Sequence, residues 1–237
     1  MKNKPTYYNQ NDSRWKKIMY SSIKDPTQTI GSSGCGTTCA AMVIDTLRHN
    51  GITPVETSAW SVKHGYRTVS QGTDWGYFVP QLAEYGIPAH QTWQQSEAAN
   101  ALDNGYMVIG RAKKGLWTSS GHYILAWKLD NNKIYINDPN STKSARSVAP
   151  YSTWVAEVTP MWVIDELAEG EEMRINTISE LRKTAPYAVA AITYLCDRGY
   201  LRGSGGKLDA DGYPTDLDLS LDMIRMFVIN YRAGRYN

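Results

Sequence analysis

The chain has 237 residues, of which 42% are hydrophobic and 20% charged, and its formal net charge is +2. This composition is typical of a globular protein and excludes a chain that is mainly disordered. The Lys and Arg residues are scattered, which argues against nucleic-acid binding, and no apolar run reaches the length of about 18 residues that a membrane-spanning helix needs.

The first strong element is a helix predicted over Cys35–Asn50. Gly51 is the residue expected just past its C-terminus, because glycine adopts the left-handed conformation that commonly ends a helix. Gly34 and Gly36 flank the cysteine, and we expect them to leave room for a substrate backbone beside the sulfur. The apolar residues that recur at helical spacing are Cys39, Ala40, Met42, Val43, Ile44 and Leu47.

A second helix is predicted within Trp75–Pro88, ending at Gly86. The segment Gly121–Pro139 then contains two β-rich runs that are separated by the turn-forming residues "DNN". This pattern predicts a β-hairpin, and Pro139 ends its second strand because proline has no N–H to donate.

The predicted hairpin begins with His122 and ends with Asp138, so both lie at the same end of it. With a tight two-residue turn at Asn131 and Asn132, the two side chains are offset from direct opposition by about three residues. A bulge or a longer turn would improve their match.

An acidic segment, Asp165–Asn176, separates this region from a helical tail. We interpret residues 165–174 as a linker between a domain over 1–164 and a small domain over 175–237. In the tail, one helix stops at Gly199, and another has Ser220 as its predicted N-cap.

Cys35 stands where a nucleophile would be activated. At the first turn of a helix, free N–H groups and the helix dipole favour a thiolate, and a nearby histidine cation lowers the cysteine pKa further. On residue type alone, a buried structural cysteine is the alternative.

Nucleophilic catalysis by cysteine also needs a base and a group that orients the base. His122 and Asp138 supply both at the end of the predicted hairpin. The other histidines, His49, His64 and His90, have no acid at hairpin spacing.

Four segments occur in the order of motifs found in the papain-like cysteine peptidases related to the bacteriocin-leader-processing family. They are "YYNQNDSRW", "TIGSSGCGTTCAAMVI", "GTDWGYFVPQLAEYGI" and "GHYILAWKLDNNKIYINDP". The chain resembles this family over roughly residues 5–160. The resemblance implies an α+β fold in which an N-terminal helix packs on an antiparallel sheet.

By the same resemblance, Cys35 would be the nucleophile, His122 the general base and acid, and Asp138 the group that orients His122. Gln10 would stabilise the oxyanion together with the backbone N–H of Cys35. Gln28 lies nearer to Cys35 in the sequence and is the alternative for that role. The chemistry is acyl transfer, which needs no metal or other cofactor.

Three aromatic residues flank these motifs and are candidate substrate-binding walls of the cleft: Trp75, Trp117 and Tyr123. A structural role in the core is the alternative for each of them, since aromatic side chains dominate protein cores as well as binding grooves.

The tail resembles the small helical C-terminal modules of phage endolysins of Gram-positive hosts. The resemblance implies a peptidoglycan hydrolase whose small domain binds the cell-wall polymer and gains stability by forming a homo-oligomer. The N-terminal segment "MKNKPTYYNQ" lacks the apolar region of a signal peptide. We therefore expect the protein in the host cytoplasm before lysis, and at the wall after a holin opens the membrane.

The segment "EGEEM", residues 169–173, suggests a further hypothesis. Purine-rich codons here could act as a ribosome-binding sequence for a second start at Met173, which would yield a free C-terminal module that assembles with the full chain. The alternative is an acidic linker that happens to contain Met.

Besides a distant third, an effector peptidase that acts on host protein, two other functions remain open from the sequence. One is a leader-processing peptidase, although members with that role usually belong to transporter chains. The other is a catalytically inactive wall-binding protein.

Overall fold

The computed structural model describes residues 4–70, 72–168 and 174–236. The chain divides into two compact units, Met1–Glu171 and Glu172–Asn237. Within the described residues, no helix combines the length and apolarity needed to cross a bilayer.

The first unit is an α+β structure. Its helices are α1 (Ile30–Ser33), α2 (Cys35–Arg48), α3 (Pro54–Lys63), α4 (Phe78–Ala83), α5 (Gln95–Asp103), α6 (Ser144–Ser147) and α7 (Tyr151–Glu157). Its strands are β1 (Ala89–Thr92), β2 (Val108–Lys113), β3 (Gly121–Asp130), β4 (Lys133–Asn137), β5 (Val148–Pro150) and β6 (Val158–Ile164).

The six strands form one sheet in the order β1-β6-β2-β3-β4-β5, with all neighbours antiparallel. Helices cover both faces, as alternate residues of β3 illustrate. Tyr123 and Leu125 join the apolar cluster that α2 and α4 complete, whereas Ile124 and Ala126 join the cluster beneath α5 and α7. The sheet is therefore buried on both faces, and a ligand can reach it only at its edges and at the ends of its strands.

The predicted first helix is confirmed as α2, which ends two residues earlier than expected. Its apolar residues from Cys39 to Ile44 are buried against the sheet. His49, rather than Gly51, is the left-handed residue that caps the helix, and its N–H bonds to the carbonyl of Asp45. The Asp45 side chain in turn accepts a hydrogen bond from the N–H of Gly51, so the backbone and the side chain of one aspartate both bind the residues that follow the helix.

The predicted hairpin is confirmed together with its tight turn and its bulge. Asn131 and Asn132 both have positive φ, 48° and 58°, as a type I′ turn requires. Asp130 pairs with Lys133 at the turn, but the register shifts by one between Ala126 and Lys128, which leaves Trp127 as the extra residue of β3.

The second predicted helix is shorter than expected. Trp75–Tyr77 form a 3₁₀ turn capped by the Asp74 side chain, and only Phe78–Ala83 is α-helical. The helix ends at Ala83, before the predicted stop, and Gly86, with a φ of 65°, lies in the turn that follows.

The second unit contains β7 (Arg174–Ile175), α8 (Ile178–Thr184), α9 (Val189–Asp197), β8 (Leu219–Ser220) and α10 (Leu221–Arg232). Ser220 is the N-cap of α10, as predicted, and its Oγ accepts the N–H of Met223 at 3.1 Å. The expectation of an all-helical unit is wrong in one detail, since β7 and β8 pair as a short antiparallel ladder.

The structure places the beginning of the expected linker against the first unit. The Asp165 N–H donates to the carbonyl of Pro88, and Glu166 forms an ion pair with Arg48. Residues 169–173 lie outside the described residues, so the second start at Met173 stays a prediction.

Gly110 in β2 lies where α7 packs on the sheet, beside the neighbouring strand β6. A Cβ there would be 2.5 Å from the ring of Trp154 and 2.4 Å from Val158. We expect Gly110→Ala to lower the free energy of unfolding by about 1–3 kcal/mol through overpacking. Gly65 has a φ of 78° and open space around it, so Gly65→Ala should cost only about 1 kcal/mol of backbone strain. Urea unfolding of both variants measures the difference, and equal losses would contradict the close packing at Gly110.

Candidate active site

Cys35 is the first residue of α2, and its thiol faces His122. The His122 ring and the backbone N–H groups of Tyr123 and Gly36 lie close enough to the sulfur to lower the pKa of the thiol. As the first helical residue, Cys35 also has a backbone N–H that no carbonyl of its own helix can accept. The cysteine therefore lies where the sequence placed it, at the positive end of the helix dipole.

The two flanking glycines have a different role from the one expected. A Cβ on Gly34 would lie 2.7 Å from the carbonyl oxygen of Ile30, and one on Gly36 would lie 2.7 Å from Oγ1 of Thr73. Both glycines are needed because the protein packs against itself at these points. The expectation that they admit a substrate backbone is therefore wrong.

The bulge at Trp127 brings His122 and Asp138 to one face of the hairpin. Leu125 pairs with Asn137, and extending this register by one residue puts Asp138 opposite Ile124. Ile124 is two residues from His122, and residues two apart on a strand share a face. His122 Nε2 accordingly donates a 2.8 Å hydrogen bond to Oδ1 of Asp138.

Asp138 is fully buried, and three groups hold its carboxylate. Oδ1 also accepts the N–H of Asn140 at 2.8 Å. Oδ2 forms an ion pair with Arg146, whose Nη2 lies 2.6 Å away. The Arg146 guanidinium also donates to the carbonyl of Trp117. Sequence reasoning missed Arg146, because nothing in "STKSARSVAP" distinguishes it from a surface arginine.

The charges of the site support a thiolate and an imidazolium. Burial raises the pKa of Cys35, but the hydrogen bond and charge of His122 and the N–H groups of Tyr123 and Gly36 outweigh it, so the pKa lies below its ordinary value. Burial lowers the pKa of His122, but the hydrogen bonds to Asp138 and Cys35 outweigh it and raise that pKa to about 9.

Of the two glutamines considered for the oxyanion, only Gln10 lies in the cleft. Its backbone N–H donates to the carbonyl of Pro139 at 2.7 Å, and its Nε2 donates to the carbonyl of Gly31 at 2.8 Å. An amide nitrogen has two protons, so the second remains for a ligand. Gln28 instead donates to the carbonyl of Val69 and does not line the cleft.

These residues open into a cleft of about 1020 Å³ whose walls are mainly polar. The lining side chains that carry a hydroxyl, amide or charge are those of Gln10, Ser32, Ser33, Thr68, Ser70, Thr73, Asp74, Arg111, Thr118, Ser119, Ser120, Asn140 and Arg146.

The three aromatic candidates line the cleft to different extents. Trp75 is 46% exposed and forms an open wall. Tyr123 is buried and donates its hydroxyl proton to the carbonyl of Thr73. The Trp117 ring is also buried, against Trp154, and so serves as core beneath the cleft.

His90 has carboxylate partners that the sequence did not reveal. Its ring nitrogens lie 2.7 Å from Asp165 and 2.8 Å from Glu97. The hydrogen bond to Asp165, followed by that to Glu97, raises the pKa of His90 against the effect of burial. His90 is not a lining residue of the cleft, and its contacts tie β1 to α5 and to the end of β6.

A model of the Peptidase_C39 like family matches residues 3–164. Among solved structures, the chain is similar to the peptidase domain of Streptococcus ComA, a bi-functional ABC transporter involved in a quorum sensing pathway. The identity is 21% over 56% of this chain and 90% of that one, with a TM-score of 0.42. A protein from Bacillus anthracis described as a C39-like peptidase has 11% identity over 69% of this chain and 96% of that one, with a TM-score of 0.46.

A third similar structure is a double glycine motif protease from an AMS/PCAT transporter in complex with the leader peptide. Its identity to the chain is 19%, over 55% of this chain and 81% of that one, and the TM-score is 0.39. No curated protein matches the chain.

Replacing His122 by Ala removes the cation that favours the thiolate but leaves Cys35 half-buried. The apparent pKa for alkylation of Cys35 by iodoacetamide should therefore rise from below the usual value of about 8.5 to above it. In the wild type, the rate should fall as the pH drops through the lowered pKa of Cys35, and it should change a second time near pH 9, where His122 loses its proton. Mass spectrometry of the Cys35 peptide measures the rates. The exposed His64 gives the control variant His64→Ala, and equal apparent pKa values in the two variants would contradict the ion pair.

Arg146→Gln removes the positive charge beside Asp138. Among the described residues, His122 is then the one cation paired with the carboxylate, so the pKa of His122 should rise, by up to about 1 unit, and shift the alkaline change in the same alkylation profile upward. Arg14→Gln is the matched control, because Arg14 pairs with Asp12 at the surface. An alkaline change at the same pH in both variants would show that Arg146 does not act on His122 through Asp138.

Proposed function

The chain belongs to the Peptidase_C39 like family and is thus a C39-like cysteine peptidase, and on that premise we propose that it hydrolyses amide bonds in the peptide part of Gram-positive peptidoglycan. The observation that carries the hydrolytic part of the proposal is the buried chain of contacts from Cys35 through His122 to Asp138. Two further observations, the polar cleft and the C-terminal unit, support the choice of substrate.

The proposed reaction begins with the Cys35 thiolate, which attacks the carbonyl carbon of the amide. The carbonyl oxygen becomes an oxyanion and is bound by the second Nε2 proton of Gln10 and the backbone N–H of Cys35. His122 gives its proton to the leaving nitrogen as the C–N bond breaks, which leaves a thioester on Cys35 and a neutral imidazole.

Water then completes the cycle. His122 takes a proton from a water molecule, whose oxygen attacks the thioester carbon and displaces the Cys35 thiolate. Asp138 holds the ring in the required orientation and stabilises the imidazolium at both stages, as a buried carboxylate does in related triads.

The walls of the cleft favour a polar substrate over a leader helix. An amphipathic helix binds by placing its apolar face in an apolar groove. Here the lining is mainly hydroxyl, amide and charged side chains, with Trp75 as the exposed aromatic wall among the described residues. A polar peptide of the bacterial cell wall, whose amide groups need hydrogen-bond partners, fits such a lining better.

We also propose that the C-terminal unit binds the wall polymer. Tyr187 and Tyr200 are 51% and 62% exposed, and rings with a polar end suit stacking on sugars. The unit has its own apolar core, formed by α8, α9 and α10, and can therefore present such a surface. On this proposal the enzyme acts at the cell wall.

Turbidity loss of purified Gram-positive cell walls, with mass spectrometry of the released fragments, tests the proposal. The wild type should clear the suspension and leave new amine and carboxyl ends. Cys35→Ala should reduce the rate at least about a thousandfold because the nucleophile is absent. Cys196→Ala, which removes a thiol of the second unit, should retain the rate.

Sedimentation of Cys35→Ala with the walls tests the second unit, since a chain without a wall-binding surface stays in solution. If both wild type and Cys35→Ala sediment but neither clears walls from a broad panel, an inactive wall-binding protein is the better account. If the wild type instead cleaves a double-glycine leader peptide and does not act on walls, the leader-peptidase alternative replaces the proposal.

A further inference from the structure

Arg111 lies beside the reacting groups, although the chemistry proposed above does not use it. In the β2–β3 ladder Arg111 pairs with Tyr123, and the next residue, Ala112, pairs with His122. Directly opposed residues on antiparallel strands have Cβ atoms only about 5 Å apart. The backbone N–H of Tyr123 in turn favours the Cys35 thiolate, and Arg111 lines the same cleft as Cys35 and His122.

The guanidinium of Arg111 has no anionic partner among the described residues. Its Cζ lies 5.4 Å from the centroid of the Trp75 ring, and no carboxylate of the described residues forms an ion pair with its nitrogens. Arg146, the other arginine of the cleft, is already committed to Asp138 and to the carbonyl of Trp117. The N–H donors of Arg111 therefore face the cleft, and no carboxylate of the described residues is paired with them.

The surroundings hold this guanidinium in place. Trp75 provides an aromatic face on one side, and Gly121 provides space on another, since a Cβ on Gly121 would lie 3.1 Å from Nη2 of Arg111. Arg111 itself is half-buried. A planar guanidinium fixed in this way loses little further freedom when it binds an anion.

We propose that Arg111, supported by Trp75, binds a carboxylate of the substrate one or two residues from the amide that is cut. Arginine binds carboxylates through two parallel charge-assisted hydrogen bonds, which matches the free donors here. One residue of extended chain spans about 3.4 Å, so a group near the scissile amide reaches a side chain on the neighbouring strand. The inference rests on the proposed peptidase function and specifies its substrate as an acidic peptide.

A pair of thiol reagents tests this carboxylate site without any peptide substrate. Iodoacetate and iodoacetamide both alkylate Cys35, in that the sulfur forms a bond to the methylene carbon and iodide leaves. They differ in that iodoacetate carries a carboxylate and iodoacetamide a neutral amide. Mass spectrometry of the Cys35 peptide gives both rates at a fixed near-neutral pH and low salt, and their ratio measures the preference for the anion.

Arg111→Met keeps the length of the side chain but removes its charge and donors. We expect this variant to lower the ratio of the iodoacetate rate to the iodoacetamide rate by about tenfold, as for loss of a charged hydrogen bond. Arg111→Lys should retain most of the ratio because it keeps the charge. Lys63→Met, which removes one exposed positive charge on α3 outside the cleft lining, should change it less than twofold.

Two results would overturn the proposal. One is a ratio in Arg111→Met no lower than in Lys63→Met. The other is an equal loss of both rates, which would mean that Arg111 only maintains the structure of the site.

The outcome is also separable from that of the wall assay. If the wild type does not clear walls but Arg111→Met loses the preference for iodoacetate, the carboxylate site is supported and the wall substrate is wrong. If the wild type clears walls but Arg111→Met has the same ratio of alkylation rates as the wild type, the wall substrate is supported and the carboxylate site is wrong.

Discussion

One extra residue in β3 determines on which face of the hairpin the acid of the site lies. From the pair Asp130 and Lys133 at the turn, an unbroken register would put Asp138 opposite Leu125, which points into the apolar cluster beneath α2. An isolated carboxylate there would lose its hydration without gaining a cation, which is strongly unfavourable. The bulge at Trp127 shifts the register by one, so that Asp138 faces His122 and Arg146 instead. The basicity of His122 and the acidity of Cys35 both follow from this shift.

The site is a row of alternating charges contributed by α2, β3, the residue after β4 and α6. Arg146, Asp138, His122 and Cys35 alternate from positive to negative, and each is paired with the next. Such a row is stable in a buried place because each charge has an opposite neighbour, whereas removal of one member leaves another unpaired. Arg111 stands beside the row with no counterpart among the described residues, which is why it is a better candidate for contact with the substrate than Arg146.

The sequence predicted the parts of this structure that depend on local pattern. The helix after Cys35, the hairpin, its asparagine turn and the N-cap at Ser220 all follow from residue spacing within about 20 positions. The need for a bulge was also deducible, because two residues must share a face.

Features that depend on contacts between distant segments were not predictable. Gln28 stayed an alternative to Gln10 because it lies nearer to Cys35 in the sequence, whereas in the fold it is Gln10 that contacts both Pro139 and Gly31. The packing of Thr73 against Gly36 and the pairing of Arg146 with Asp138 are likewise contacts between separate segments.

The hydrogen bonds between the N-terminal segment and the end of β4 have a consequence for biosynthesis. Tyr7 donates to the carbonyl of Asp138, and Asn137 donates to the carbonyls of Pro5 and Thr6, across separations of 131 and 132 residues. Gln10 and Cys35 are therefore translated early, but they cannot be aligned with His122 and Asp138 until the hairpin has left the ribosome. Contacts of such long range also form slowly. The nascent chain is thus an inert precursor for more than half of its synthesis, and hydrolytic competence arises only when its first and middle segments meet.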